Sequence, residues 1–67
     1  MKVYPKDGTA IGLCARGQRR FCEAHSIDVR RYFREGVDAS EISGIDDENV
    51  RRILAAAEAR EAANGRG

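Results

Sequence analysis

The sequence predicts an all-α fold, a small domain of three to four helices with a helix-turn-helix-like pair and an extended N-terminal arm. Three observations carry this expectation. In the last third of the chain Val50, Ile53, Leu54 and Ala57 fall at i, i+3, i+4 and i+7, the spacing of one helix face. Acidic residues suited to helix N-caps stand at Asp28, Asp38 and Asp46 or Asp47, each just ahead of a helical pattern. No segment alternates apolar and polar residues convincingly enough to read as a half-buried strand.

Taken in order, residues 1–12 hold Pro5, Gly8 and Gly12 with no helical period, so they are expected to form an extended arm anchored by Val3, Tyr4 and Ile11. Residues 13–64 form the helical domain, and residues 65–67 a disordered tail. The first helix is expected from about Ala15 to His25, where Gln18, Phe21, Cys22 and His25 share one face. Phe21 and Cys22 point inward there, with the polar pair at the ends. Ser26, Ile27 and Asp28 read as a tight break. A second helix from Val29 to Glu35 puts Val29, Tyr32 and Phe33 at i, i+3 and i+4, and Gly36 stops it. Asp38-Ala39-Ser40-Glu41 fits a capping box that opens one turn carrying Ile42. The last helix is capped by Asp46 or Asp47, propagates through alanines of high helix propensity, and closes at Asn64-Gly65.

Sixty-seven residues make one domain, whose core supports only about 3–5 kcal/mol of net stability. Self-association or a partner can therefore matter for folding, and the alanine-rich stretch Ala55–Ala63 would let a second copy approach closely as a homodimer. A buried ligand cleft of roughly 300 Å³ or more does not fit in such a core. That argues against an enzyme, and no cofactor is expected. No apolar run approaches the ~20 residues that cross a bilayer, and Met1 to Asp7 lack the hydrophobic segment of a secretory signal. The expected compartment is the cytoplasm, where Cys14 and Cys22 are reduced thiols.

The net charge of +1 conceals an asymmetry. Through Glu35 there are eight Lys or Arg against four acids, a balance of +4. From Gly36 onward four Arg face seven acids, a balance of −3. A basic half beside an acidic half points either to one face for an anionic partner or to two faces that attract each other.

The most specific pattern spans Phe21 to Phe33 and resembles a helix-turn-helix. Cys22 takes the place of the small residue in the first helix, Ser26 that of the turn residue, and Ile27 and Tyr32 those of two apolar positions. The turn residue is usually glycine, so Ser26 departs from the motif. The second helix would read the major groove of duplex DNA. Arg30, Arg31 and Arg34 on its outward side suit phosphates or guanine edges. Arg19 and Arg20 extend the basic surface along the first helix, with Arg16, Lys2 and Lys6, in the way that homeodomain-like arms reach the minor groove. The competing reading is a plain helical hairpin with solvated arginines.

Cys14, Cys22 and His25, with Asp28 as a fourth, invite comparison with a zinc site. The gap between the cysteines is not a usual zinc spacing, so packed thiols are the simpler reading and no metal is expected. His25 beside Glu23 and Asp28 lacks a nucleophile with which to assemble acid–base or covalent chemistry. Gly8 and Gly12 are too isolated to form a phosphate loop.

With Cys14-Ala15-Arg16-Gly17, Arg19, Phe21, His25, Ile27-Asp28 and Gly36-Val37 in view, the chain is similar to a group of short proteins encoded in tailed bacteriophages and prophages. That group has a Cys-x-x-Gly-x-Arg segment, an aromatic, a His-Gly-Leu-Asp-like turn, and Gly-Ile/Val before a final helix. The likeness runs over roughly residues 14–57 and departs at Ser26 and Val29. It implies a phage or prophage context and brings no functional residues with it. Two functions from different classes follow. One is a DNA-binding regulator or packaging accessory of helix-turn-helix type. The other is a non-catalytic interaction protein, a virion-assembly component or an adaptor to a host protein.

Overall fold

A computed structural model describes residues 1–64, and the tail expected at 65–67 lies outside the described residues. The chain runs β1 (Lys2–Val3), α1 (Pro5–Ala10), α2 (Ala15–Ala24), α3 (Val29–Glu35), β2 (Val37–Asp38), α4 (Ala39–Ile42) and α5 (Glu48–Asn64). The fold is mostly helical, but it is not strictly all-α. The two short strands pair antiparallel, with Lys2 opposite Asp38 and Val3 opposite Val37. Strands of two residues are too short to write an alternating pattern in the sequence.

The expected extended arm is the main correction. Residues 1–12 form β1 and α1, and both pack against α5. Pro5 stands at the start of α1, where its missing amide costs nothing and its fixed φ suits the helix. The carboxylate of Asp7 accepts a hydrogen bond from the Tyr4 amide at 2.8 Å, closing that helix end. Gly8 sits inside α1 because a Cβ there would collide with the Gln18 side chain of α2. Lys2 and Lys6 therefore belong to a folded segment, with the Lys6 ammonium 5.4 Å from the Tyr4 ring centre. No arm remains to reach a minor groove.

The helix caps and the glycine stop are borne out. The Asp28 carboxylate accepts from the Arg31 amide at 3.0 Å and caps α3. Gly36 ends α3 at φ 79°. Asp38 accepts from the Ser40 amide at 3.0 Å while Glu41 accepts from the Asp38 amide at 3.0 Å, the reciprocal pair of a capping box. Both carboxyls are held below their ordinary range. The Ser40 amide is the main cause for Asp38, and the Asp38 amide followed by Arg31 for Glu41. Asp47 accepts from the amides of Asn49 and Val50 at the start of α5.

The core lies where α5 meets the rest of the chain. Val50, Ile53 and Ala57 of α5 are buried with Val3, Phe21, Cys22, Tyr32, Val37 and Ile42, and Leu54 packs at the edge. Ala57 is thus a core residue, while Ala55, Ala59, Ala62 and Ala63 stay exposed. Beneath α2 and α3 a buried polar contact joins these two helices to the loop that precedes α2. The Tyr32 hydroxyl donates to Gln18 Oε1, and the Gln18 amide donates to the Leu13 carbonyl at 3.2 Å.

Between α2 and α3 the chain turns at His25–Asp28 with Ser26 at φ 57°, a left-handed conformation in which a side chain is strained. The break expected at Ser26 is therefore real, and the two helices are separate rather than one rod. Ser26→Gly is expected to raise stability by about 0.5–1 kcal/mol, because glycine relieves the left-handed strain and loses only part of that gain to its greater unfolded-state entropy. A urea titration should show a higher midpoint at unchanged slope; a lower midpoint would mean that the Ser26 side chain contributes more than its strain costs.

Candidate functional site

The side chains that α2 and α3 turn away from the core meet along an open groove. One part, of about 560 Å³, is lined by Arg19, Glu23, Val29, Arg30, Phe33 and Arg34. The adjoining part, of about 430 Å³, is lined by Ala15, Arg16, Arg19 and Phe33. Phe33 and Arg19 belong to both. Helical spacing explains the assembly: Arg16 and Arg19 lie i, i+3 on α2, and Arg30, Phe33 and Arg34 lie i, i+3 and i+4 on α3. Where α2 meets α3, residues of both rows line the groove together with the phenyl ring.

Five arginines were expected to form the binding surface, and the fold sorts them. Arg19, Arg30 and Arg34 line the groove and are exposed. Arg20 is exposed but lies outside the groove lining. Arg31 is a correction. Its guanidinium pairs with Glu41 of α4, so the acidic half of the chain takes up this charge. Among the described residues Arg16, Arg19, Arg20 and Arg30 have no carboxylate within ion-pair distance. Arg34 meets only its neighbour Glu35, at 4.0 Å on an exposed surface, where a pair contributes little.

Phe33 is the residue that sequence reasoning misplaced. Its spacing with Val29 suggested an inward face, yet it is 39% exposed while Tyr32 is fully buried. Adjacent helical residues point about 100° apart, so only one of two consecutive aromatics can be central to the core. The Phe33 ring is held nearly perpendicular to that of Tyr32, with centres 5.2 Å apart and planes at 85°. Glu23 and Val29 were likewise not assigned to a surface site. A usable signal was present in Tyr32-Phe33 beside an N-cap at Asp28, because two adjacent rings on a short helix must diverge.

The residues considered for a metal do not converge. Cys14 is exposed at the start of α2, where its Sγ accepts from the Gly17 amide at 3.5 Å. Cys22 is in the core, and His25 packs edge-on against Phe21 with its Nε2 3.5 Å from Asp47. Among the described residues no group of His, Cys, Asp and Glu side chains is arranged to hold a metal ion. The Cys14 thiol titrates below its ordinary value, chiefly through the Gly17 amide, whereas burial pushes Cys22 up to about 11. Near the ordinary thiol pKa of about 8.5, iodoacetamide is expected to modify Cys14 quickly and Cys22 only after unfolding. Peptide mass spectrometry reads both, and equal rates would contradict the burial of Cys22.

No helix among the described residues is long and apolar enough to cross a membrane. No protein family, curated protein or solved structure matches this chain.

Proposed function

We propose that the chain is a small duplex-DNA-binding protein of helix-turn-helix type, a regulator or packaging accessory of a phage or prophage that works in the host cytoplasm. The observation that carries this reading is the groove between α2 and α3, which Arg16, Arg19, Arg30 and Arg34 line together with Phe33, where Glu23 is the one carboxylate in the lining and no acidic residue from the second half of the chain takes part. The left-handed turn at Ser26 adds support, since it stands where a helix-turn-helix bends. In this reading α3 enters the major groove and α2 crosses the phosphate backbone, with Arg16 and Arg19 on phosphates. A net charge near neutral is no obstacle, because association responds to the local field and the acids are concentrated elsewhere. The protein is then a binding module rather than an enzyme.

Gel shifts with duplex DNA at low and moderate salt test the reading. Replacing Arg30 and Arg34 together by alanine is expected to weaken binding at least tenfold and to flatten the salt dependence by about two counterions. Arg51→Ala removes a charge that is already paired with Asp46 and Glu48, and should leave affinity unchanged. Retained affinity in the Arg30/Arg34 double variant would remove this face from the account.

The exposed Phe33 favours a second reading, a non-catalytic interaction protein whose groove takes an apolar side chain of a phage or host protein. Pull-down of a stoichiometric protein partner without retained DNA would favour it, as for a virion-assembly component or host adaptor.

A further inference from the structure

We infer that Phe33 is a base-reading residue that contacts the 5-methyl group of thymine, beside a guanine met by Arg30 or Arg34. This rests on the DNA-binding reading and adds to it a statement of which base edge the groove recognises.

The groove is not built as a phosphate cradle. A surface that only held the backbone would carry cations and small donors. Here a phenyl ring lies among the arginines, and the carboxylate of Glu23 lines the same groove. Neither group suits a phosphate. The ring, on the helix that enters the major groove, suits a base edge, because an apolar side chain packs on the thymine methyl. Phe33 and Met1 are the large apolar side chains left exposed among the described residues, and of these only Phe33 shares a groove with arginines.

Spacing and rigidity agree with this role. Arg30 and Phe33 are three residues apart on α3, about 4.5 Å along its axis, close to the rise of about 3.4 Å between successive base pairs. Side chains so spaced span about the distance between one base pair and the next. The Phe33 ring stands edge-on to that of the buried Tyr32, a contact that reduces the side-chain freedom left to lose on binding. Single-strand binding by stacking is the less suited alternative. Such sites use successive aromatics along a channel, and Phe33 is the one exposed aromatic ring flanking this groove.

The full chain is titrated with an alternating guanine–thymine duplex of about two helical turns, and with the same duplex carrying deoxyuridine at every thymine. Charge and pairing are identical, and only the methyl groups differ. The parent protein is expected to bind the deoxyuridine duplex about fourfold more weakly, the equivalent of one buried methyl group. Phe33→Ala is expected to bind both duplexes equally, at the weaker level. Phe33→Leu, which keeps an apolar contact, should retain part of the difference. Equal binding of both duplexes by the parent protein overturns this inference and leaves the DNA-binding reading standing. Tighter binding to single-stranded oligothymidine than to either duplex also overturns it, and makes Phe33 a stacking platform instead. No binding to any of these probes at low salt overturns the inference together with the reading beneath it. Because the decisive change is made in the DNA, the outcome does not depend on whether a variant folds.

Discussion

Arg60→Ala is expected to remove most of the chain's stability at room temperature, with a loss of about 3 kcal/mol from a total of about 3–5 kcal/mol. Arg60 reaches back from α5 to the opening segment. Its Nε donates to Asp7 Oδ1 at 2.9 Å, and its Nη2 donates to Asp7 Oδ2 at 3.2 Å and to the Lys2 carbonyl at 2.8 Å. The guanidinium also lies 5.0 Å from the centre of the Tyr4 ring. Asp7 is only 2% exposed. Removing its cation leaves a carboxylate away from water with only the Tyr4 amide as compensation, and such a charge is costly. The damage would spread to the groove, because α1 carries Gly8, against which Gln18 of α2 rests, and Gln18 in turn holds Tyr32 of α3.

Circular dichroism with a urea titration reads the effect. Arg60→Lys should restore only part of the stability, since an ammonium cannot present the two-pronged fork that both carboxylate oxygens use. Pairing Asp7→Asn with Arg60→Leu should cost less than Arg60→Ala alone, because no charge is then left buried. If Arg60→Ala melts with the parent protein, the contact between α1 and α5 is not what holds the opening segment in place.

Gly36→Ala is the second large effect, at about 3 kcal/mol. Gly36 sits at φ 79°, and a Cβ there would stand 2.7 Å from both the Val3 carbonyl oxygen and Tyr4 Cδ1. The backbone of β1 cannot yield without disturbing its pairing with β2. Gly12 makes the comparison sharp. It has φ 90° but open space around it, so Gly12→Ala bears the backbone strain alone, about 1–2 kcal/mol. The difference between the two variants isolates the cost of the close approach at Gly36. Equal losses would show that the strand contact relaxes freely.

Much of the local organisation was legible. The face of α5, the caps at Asp28, Asp38 and Asp47, the stop at Gly36 and the bend at Ser26 all follow from spacing and from side chains that satisfy nearby amides. The first dozen residues were not legible, for a specific reason. Pro5 and Gly8 break helices in general, but at the first turn proline is tolerated, and the glycine answers to Gln18 of another helix. Arg31 was misread for a related reason. On its own helix it resembles Arg30 and Arg34, and Glu41 reaches it only because β2 and α4 fold back beside α3.

By itself the amino-acid order determined periodicity, helix ends and the clustering of basic residues in the first half, since these depend on groups a few positions apart. Only the tertiary structure decided which arginines stay unpaired, which of two adjacent rings faces water, and that the N-terminus folds onto α5. Those outcomes turn on contacts such as Tyr32 with Tyr4, 28 residues apart, and Arg60 with Asp7, 53 residues apart. Groups that far apart meet through packing geometry, to which local spacing is blind.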